Sequence, residues 1–93
     1  MSANELNQNS ISENWKKKGF SCGLWVDPPG QRWENYVHKS DELLMVIEGK
    51  LELVIDGKTI YPEIGEEIFI PKKAVHSVRN IGATTSKWLY GYN

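Results

Sequence analysis

The stretch LELVIDGKTIY, residues 51 to 61, holds the strongest constraint on the fold. Leu51, Leu53 and Ile55 alternate with Glu52 and Val54, the period-two pattern of a half-buried strand. Asp56-Gly57 then parts this run from KTIY. A two-residue type I′ hairpin needs positive φ at both central positions, and Asp-Gly meets that need. After Phe20 the whole chain has the same grain. FSCGLWV stops at Asp27-Pro28-Pro29-Gly30, RWENYVH leads into ELLMVIE, and Glu48-Gly49 closes that run. Pro62 and Gly65 mark a further break before EIFIP, HSVRN and KWLYGY, with a turn at Ile81-Gly82-Ala83. No segment shows a sustained helical period with caps. Short strands at intervals of about 8–12 residues predict an all-β sandwich or barrel.

Residues 1–14 are polar and rich in Asn and Ser, which predicts a loose arm or a short edge strand. Residues 15–93 then form the β domain. A chain of 93 residues builds one modest core and has no room for a second. Its net charge of −1 argues against a nucleic-acid partner held through phosphates. Lys16-Lys17-Lys18 is too short a basic cluster to change this and reads as solvated loop charge. A single cysteine, Cys22, forms no internal disulfide, fits a reducing compartment, and is expected as a small half-buried side chain. The N-terminal stretch lacks an apolar signal region and no run reaches membrane-spanning length, so a cytoplasmic protein without a membrane partner is expected.

The two histidines, His38 and His76, both lie at the edges of hydrophobic runs. Side chains two apart on a strand share a face. Tyr36 and His38 therefore point together, Glu42 opens the next strand with Leu44 and Val46 on its face, and His76 shares a face with Val78 and Asn80. If these faces line one interior, two imidazoles and one carboxylate meet in an apolar cavity. An ionised carboxylate alone there costs several kcal/mol or takes up a proton. A divalent metal removes that cost, and two His with one carboxylate is the donor set of non-haem Fe(II) sites. The competing reading makes each histidine a hydrogen-bonded structural residue and Glu42 the partner of a lysine.

These residues resemble the two sequence motifs of the cupins. Gly30 is followed by five residues, Tyr36-Val37-His38, three residues, Glu42, six residues and Gly49, where the family has Gly, His-X-His, Glu and Gly. Gly65 is followed by five residues, Pro71-Lys72-Lys73, two residues, His76, three residues and Asn80, where the family has Gly, Pro-X-Gly, His and Asn. The resemblance implies a single-domain cupin jelly-roll barrel, a double-stranded β-helix, with His38, Glu42 and His76 as ligands to a divalent metal such as Fe(II), Mn, Ni or Zn. It also implies pairing as a homodimer.

Two positions depart from the pattern. Tyr36 replaces the first histidine, and a neutral phenol that hydrogen-bonds a bound water or substrate is favoured there over a phenolate. Lys73 replaces the glycine of Pro-X-Gly, which predicts a turn that tolerates negative φ. Glu34 is expected on the Tyr36 face, either as an acid or base at the cavity mouth or as a solvated edge carboxylate. Trp33 is expected opposite Tyr36, packed between the sheets. Trp25 and Trp88 read as core or interface anchors, and the Trp88, Tyr90 and Tyr92 stripe as packing. Asp41 and Arg79 should point away from the cavity, and Glu63, Glu66 and Glu67 form a solvated cluster. Two functions follow: a metal-dependent oxygenase or isomerase-type enzyme acting on a small polar molecule, with Tyr36 or Glu34 moving protons, or a non-catalytic module that binds a small ligand.

Overall fold

A computed structural model describes residues 7–93. Among these the order is α1 (Gln8–Lys17), β1 (Gly23–Asp27), β2 (Arg32–Tyr36), β3 (Glu42–Glu48), β4 (Leu51–Ile55), β5 (Lys58–Ile60), β6 (Glu67–Ile70), β7 (His76–Asn80) and β8 (Ser86–Tyr92). The strands form two four-stranded antiparallel sheets, β1-β8-β3-β6 and β2-β7-β4-β5. This is the expected all-β jelly roll, although the two sheets do not join into one closed ladder. The hairpin at Asp56-Gly57 has positive φ at both residues, 48° and 81°, as its turn requires.

Strand β3 explains why ELLMVIE is apolar without alternation. Leu44 and Val46 point between the sheets, into a core with Leu51, Leu53, Ile70, Ala74, Val78 and Trp88. Leu43 and Met45 point outward, where they meet Leu89 and Trp15. Trp15 belongs to α1, so the expected N-terminal arm is corrected for residues 8–14: they begin a helix. Residues 1–6 of that arm lie outside the described residues. Asn7 caps the helix by accepting the Ser10 amide, and Lys16 and Lys17 lie in its last turn, where positive charge suits the dipole. The sequence hid the helix because only Ile11 and Trp15 mark its apolar face, at i and i+4. Trp15 is 1% exposed, and its indole N–H donates to Glu67 Oε1 at 2.8 Å. Lys18 also reaches Glu67, so this residue ties the helix to β6 instead of joining a solvated cluster. Gly91 lets the chain after the helix lie flat on β8: a Cβ there would collide with the Ser21 carbonyl.

Strand β2 carries a bulge that reassigns its faces. Trp33 pairs with Val78 and Tyr36 with His76, so three steps along β2 match two along β7. The extra residue is absorbed at Asn35, with φ at 56°, and its amide donates to Ser77 Oγ at 2.9 Å. Asn tolerates this left-handed conformation better than most residues. Trp33 and Tyr36 both border the cavity as a result, and Glu34 faces outward. The expectations that Glu34 shares the Tyr36 face and that Trp33 opposes it are therefore corrected. Outside, Arg79 bridges Glu34 on β2 and Glu52 on β4, as its outward placement implied. Its hydrogen bonds, with help from Ser77 and Arg32, hold the Glu34 carboxyl down at about 2.

Two outcomes follow. Trp15→Ala removes the anchor of α1 and should cost about 3–5 kcal/mol in urea unfolding, the range for deleting a buried large aromatic side chain. Glu34 has a folded-state pKa below its ordinary 4.5, so its contribution is complete above that value and disappears as pH falls through about 2. A carboxyl ¹³C titration should place its midpoint near 2, and Arg79→Ala should move it back toward 4.5.

Candidate metal centre

Three elements bring the polar groups together. His38 lies on the link from β2 to β3, Glu42 opens β3, and His76 opens β7. Glu42 continues the inner face of Leu44 and Val46, and it pairs across β3 with Tyr92 of β8 and Ile70 of β6. His76 pairs with Tyr36 on one side and Ile55 on the other. The turn after β6 fixes the approach of His38, because the Lys73 amide donates to the His38 carbonyl at 2.8 Å. Lys73 has φ at +67°, which corrects the expected negative value. That amide bond and the bond from Ala74 N–H to Pro71 O hold the residue in a conformation normally left to glycine.

The donor atoms of His38, Glu42 and His76 all lie within 4.8 Å of one another. Glu42 Oε1 stands 3.4 Å from His76 Nε2 and 3.6 Å from His38 Nε2. Glu42 and His76 are buried, and His38 is partly open. His76 Nδ1 faces the Ala74 carbonyl at 3.1 Å. A proton on Nδ1 satisfies that carbonyl and leaves the Nε2 lone pair directed at Glu42. The Glu42 carboxylate within hydrogen-bonding distance raises the His76 imidazole above its ordinary value, against the lowering effect of burial. That approach is close but poorly aligned, and Glu42 Oε1 is buried with no hydrogen-bond donor. A native carboxylate oxygen left this way calls for an explanation. A divalent cation held by His38, Glu42 and His76 would supply one, because it would neutralise the carboxylate and take the two imidazole lone pairs, a donor set that suits such ions.

A cavity of about 210 Å³ opens above these groups. Aromatic side chains dominate its wall, including four on β1 and β8 that sequence reasoning assigned to packing or anchoring. Trp25, Trp88, Tyr90 and Tyr92 all border it. The shared face of Trp88, Tyr90 and Tyr92 was legible in the sequence. The antiparallel register that sets Tyr90 opposite Leu44 and Tyr92 opposite Glu42 was not. The Tyr92 hydroxyl lies 3.3 Å from His38 Nε2, so with the His38 proton on Nδ1 it donates to the lone pair that a metal would otherwise take. Burial, and then the nearby Glu42 charge, push the Tyr92 phenol up to about 12, so it stays protonated. Tyr36 stacks beside His38, with ring centroids 6.4 Å apart. Asp27 was not singled out by the sequence and is only 3% exposed. Its two carboxylate oxygens accept the indole N–H groups of Trp25 and Trp33 at 2.8 and 2.7 Å. Of the predicted site residues, the structure brings together His38, Glu42, His76 and Tyr36 and leaves Glu34 outside. Asp41 points away, as expected, and accepts the Lys72 amide.

Comparison with known proteins agrees with this geometry. The family model for the cupin domain matches residues 23–92. The polyketide synthase CurC of Streptomyces cyaneus is 33% identical over 73 residues, which cover 77% of this chain and 47% of that protein. The chain thus spans about half the length of this curated relative. The cupin domain of Schizosaccharomyces pombe Cnp3 superposes with a TM-score of 0.73 at 19% identity, covering 78% of this chain and 54% of that one. An oxalate oxidase in complex with the substrate analogue glycolate gives a TM-score of 0.72 at 25% identity, covering 82% and 42%. With both motifs folded onto one cavity and the family model spanning β1 to β8, the chain belongs to the cupin family.

Proposed function

We propose that this cupin binds one divalent metal through His38, Glu42 and His76 and uses it on a small oxygen-bearing molecule, as an oxygenase or isomerase-type enzyme. The observation that carries this reading is the buried Glu42 oxygen, which has no donor and faces two imidazole nitrogens within 3.6 Å. Fe(II), Mn, Ni and Zn all accept such donors, and a bound ion of this kind supplies Lewis acidity or, for the redox-active metals, oxygen chemistry. The named relatives support oxygen-rich ligands, since one is a polyketide synthase and another an oxalate oxidase holding glycolate.

The chain's own residues then have separate tasks. Glu42 provides the negative charge, and His76 is held in one tautomer by the Ala74 carbonyl. Tyr92 keeps its proton and sits against His38, so it serves as the hydrogen-bond donor at the cavity floor. Tyr36, with its ring beside His38, moves a proton at the open side. Glu34 has no part in this, because Arg79 holds it outside as a carboxylate. The lone thiol Cys22 fits a cytoplasmic setting, and two copies form the working dimer.

Elemental analysis of untagged protein tests the proposal. The wild type should hold about one metal per chain, or take it up from Fe(II), Mn, Ni or Zn, and His38→Ala/His76→Ala should hold none. Glu42→Gln, which keeps shape and removes charge, should also lose the metal. If the wild type binds none of the four ions, the metalloenzyme reading fails and the cavity is a binding module.

A further inference from the structure

The aromatic rings around the cavity form a closed circuit. Tyr90 meets Trp25 at 6.0 Å, Trp25 meets Trp33 at 5.6 Å, and Trp33 meets Tyr36 at 6.1 Å between centroids. Tyr36 then meets His38 at 6.4 Å, His38 meets Tyr92 at 4.9 Å, and Tyr92 returns to Tyr90 at 6.0 Å. Each step lies within or near the range of favourable aromatic pairs, and most are edge-on or tilted. Five of the rings come from the two sheets and His38 from the link between β2 and β3, and all six border the cavity with Glu42 and His76. Asp27 locks two of them, because each of its oxygens holds one indole N–H. These rings cannot turn without breaking a part-buried charge-assisted hydrogen bond to a buried carboxylate.

We infer that this collar selects a flat, conjugated ring bearing a single ionisable oxygen head, and that the head reaches the metal while the ring sits within the collar. This rests on the metal reading above. Two observations and the charge of the proposed site argue against the alternatives. Among the described residues lining the cavity there is no Lys or Arg, so a dicarboxylate has no cationic partner apart from the metal. A divalent ion with two neutral imidazoles and one carboxylate leaves a single positive charge, which repels a cationic ligand and suits an enolate, phenolate or hydroxamate head. The volume of about 210 Å³ lies below the roughly 300–1,000 Å³ of drug-sized sites, so one ring with a short head fills it. Flatness matters because the collar offers π-faces and edges, which complement another ring better than a puckered saturated one.

Hydroxamates test this with the metal-binding head held constant. Zinc binding is measured first by calorimetry, in the wild type, Trp33→Leu, Trp25→Leu and Asp27→Asn. The zinc-loaded proteins are then titrated with acetohydroxamate, cyclohexanecarbohydroxamate and benzohydroxamate. Wild type should bind benzohydroxamate about tenfold more tightly than either of the others. The tryptophan variants should lose that preference while keeping zinc and acetohydroxamate affinity, and Asp27→Asn should weaken it. Equal affinity for all three in zinc-loaded wild type, or a preference that survives both tryptophan variants, overturns the inference. If a tryptophan variant does not fold, Tyr90→Leu takes its place. If zinc gives no isotherm, the series is run with Mn, Ni or Fe(II), and binding of none of the four would defeat the metal reading alone. The collar is then judged on metal-free protein with phenol against cyclohexanol, where equal binding overturns it.

Discussion

Burial of β3 on both faces is the constraint on which the other features depend. A strand in the interior of one sheet, between β8 and β6, has one face on the opposing sheet and one that would otherwise meet water. Leu44 and Val46 fill the first face, and Leu43 and Met45 require a cover on the second, which α1 provides through Trp15. Burying four such side chains stabilises the fold by about 1.5–3 kcal/mol each. That sum outweighs the several kcal/mol lost by burying one carboxylate with them. Glu42 lies two residues before Leu44 on the same face, so the register that places the core also forces Glu42 inside. The site is thus a direct continuation of the core, made possible by its surplus.

The parts legible in the sequence are those set by local chemistry or fixed spacing. Asp56-Gly57 could only make a tight hairpin, and the intervals around His38, Glu42 and His76 brought those residues to one point. The parts that escaped depend on contacts remote in sequence. Helix α1 has few apolar residues and is held by the tertiary burial of Trp15. The bulge at Asn35 turns a strict two-residue alternation by one step, which brings Trp33 in and sends Glu34 out. Lys73 adopts positive φ because a carbonyl from a distant link, that of His38, accepts its amide. Nothing in the residues near Tyr90 and Tyr92 reveals which strand they will oppose.

Asn80, the last residue of the second motif, connects the motif to the cavity rim. Its side-chain amide donates to the carbonyls of Asp27, Pro28 and Thr84, and its oxygen accepts the Gly82 amide at 3.0 Å. It therefore fixes the crossing from β1 to β2, two strands that are consecutive in the chain and lie in different sheets. With that crossing fixed, the Asp27 carboxylate has a defined position, and so do the two indoles it binds. The chain of dependence runs from a buried amide, through a buried carboxylate, to the aromatic wall. Asn80 touches nothing in the cavity and still sets its shape.

Floor and collar solve different physical problems. In the proposed reading the floor concentrates charge where water is scarce, so it would bind an ion strongly and distinguish poorly among small oxygen ligands, which would meet the same ion in the same way. Discrimination has to come from the walls. Long flexible side chains would lose rotamer freedom on closing around a ligand, about 0.5–1.5 kcal/mol for each one ordered. The collar's rings are already fixed by their neighbours and, at Trp25 and Trp33, by Asp27. Little freedom remains to lose when a ring enters, and the shape of the opening is set before it arrives. Under the proposed reading, selectivity of the cavity would come from rings already set in place before a ligand arrives.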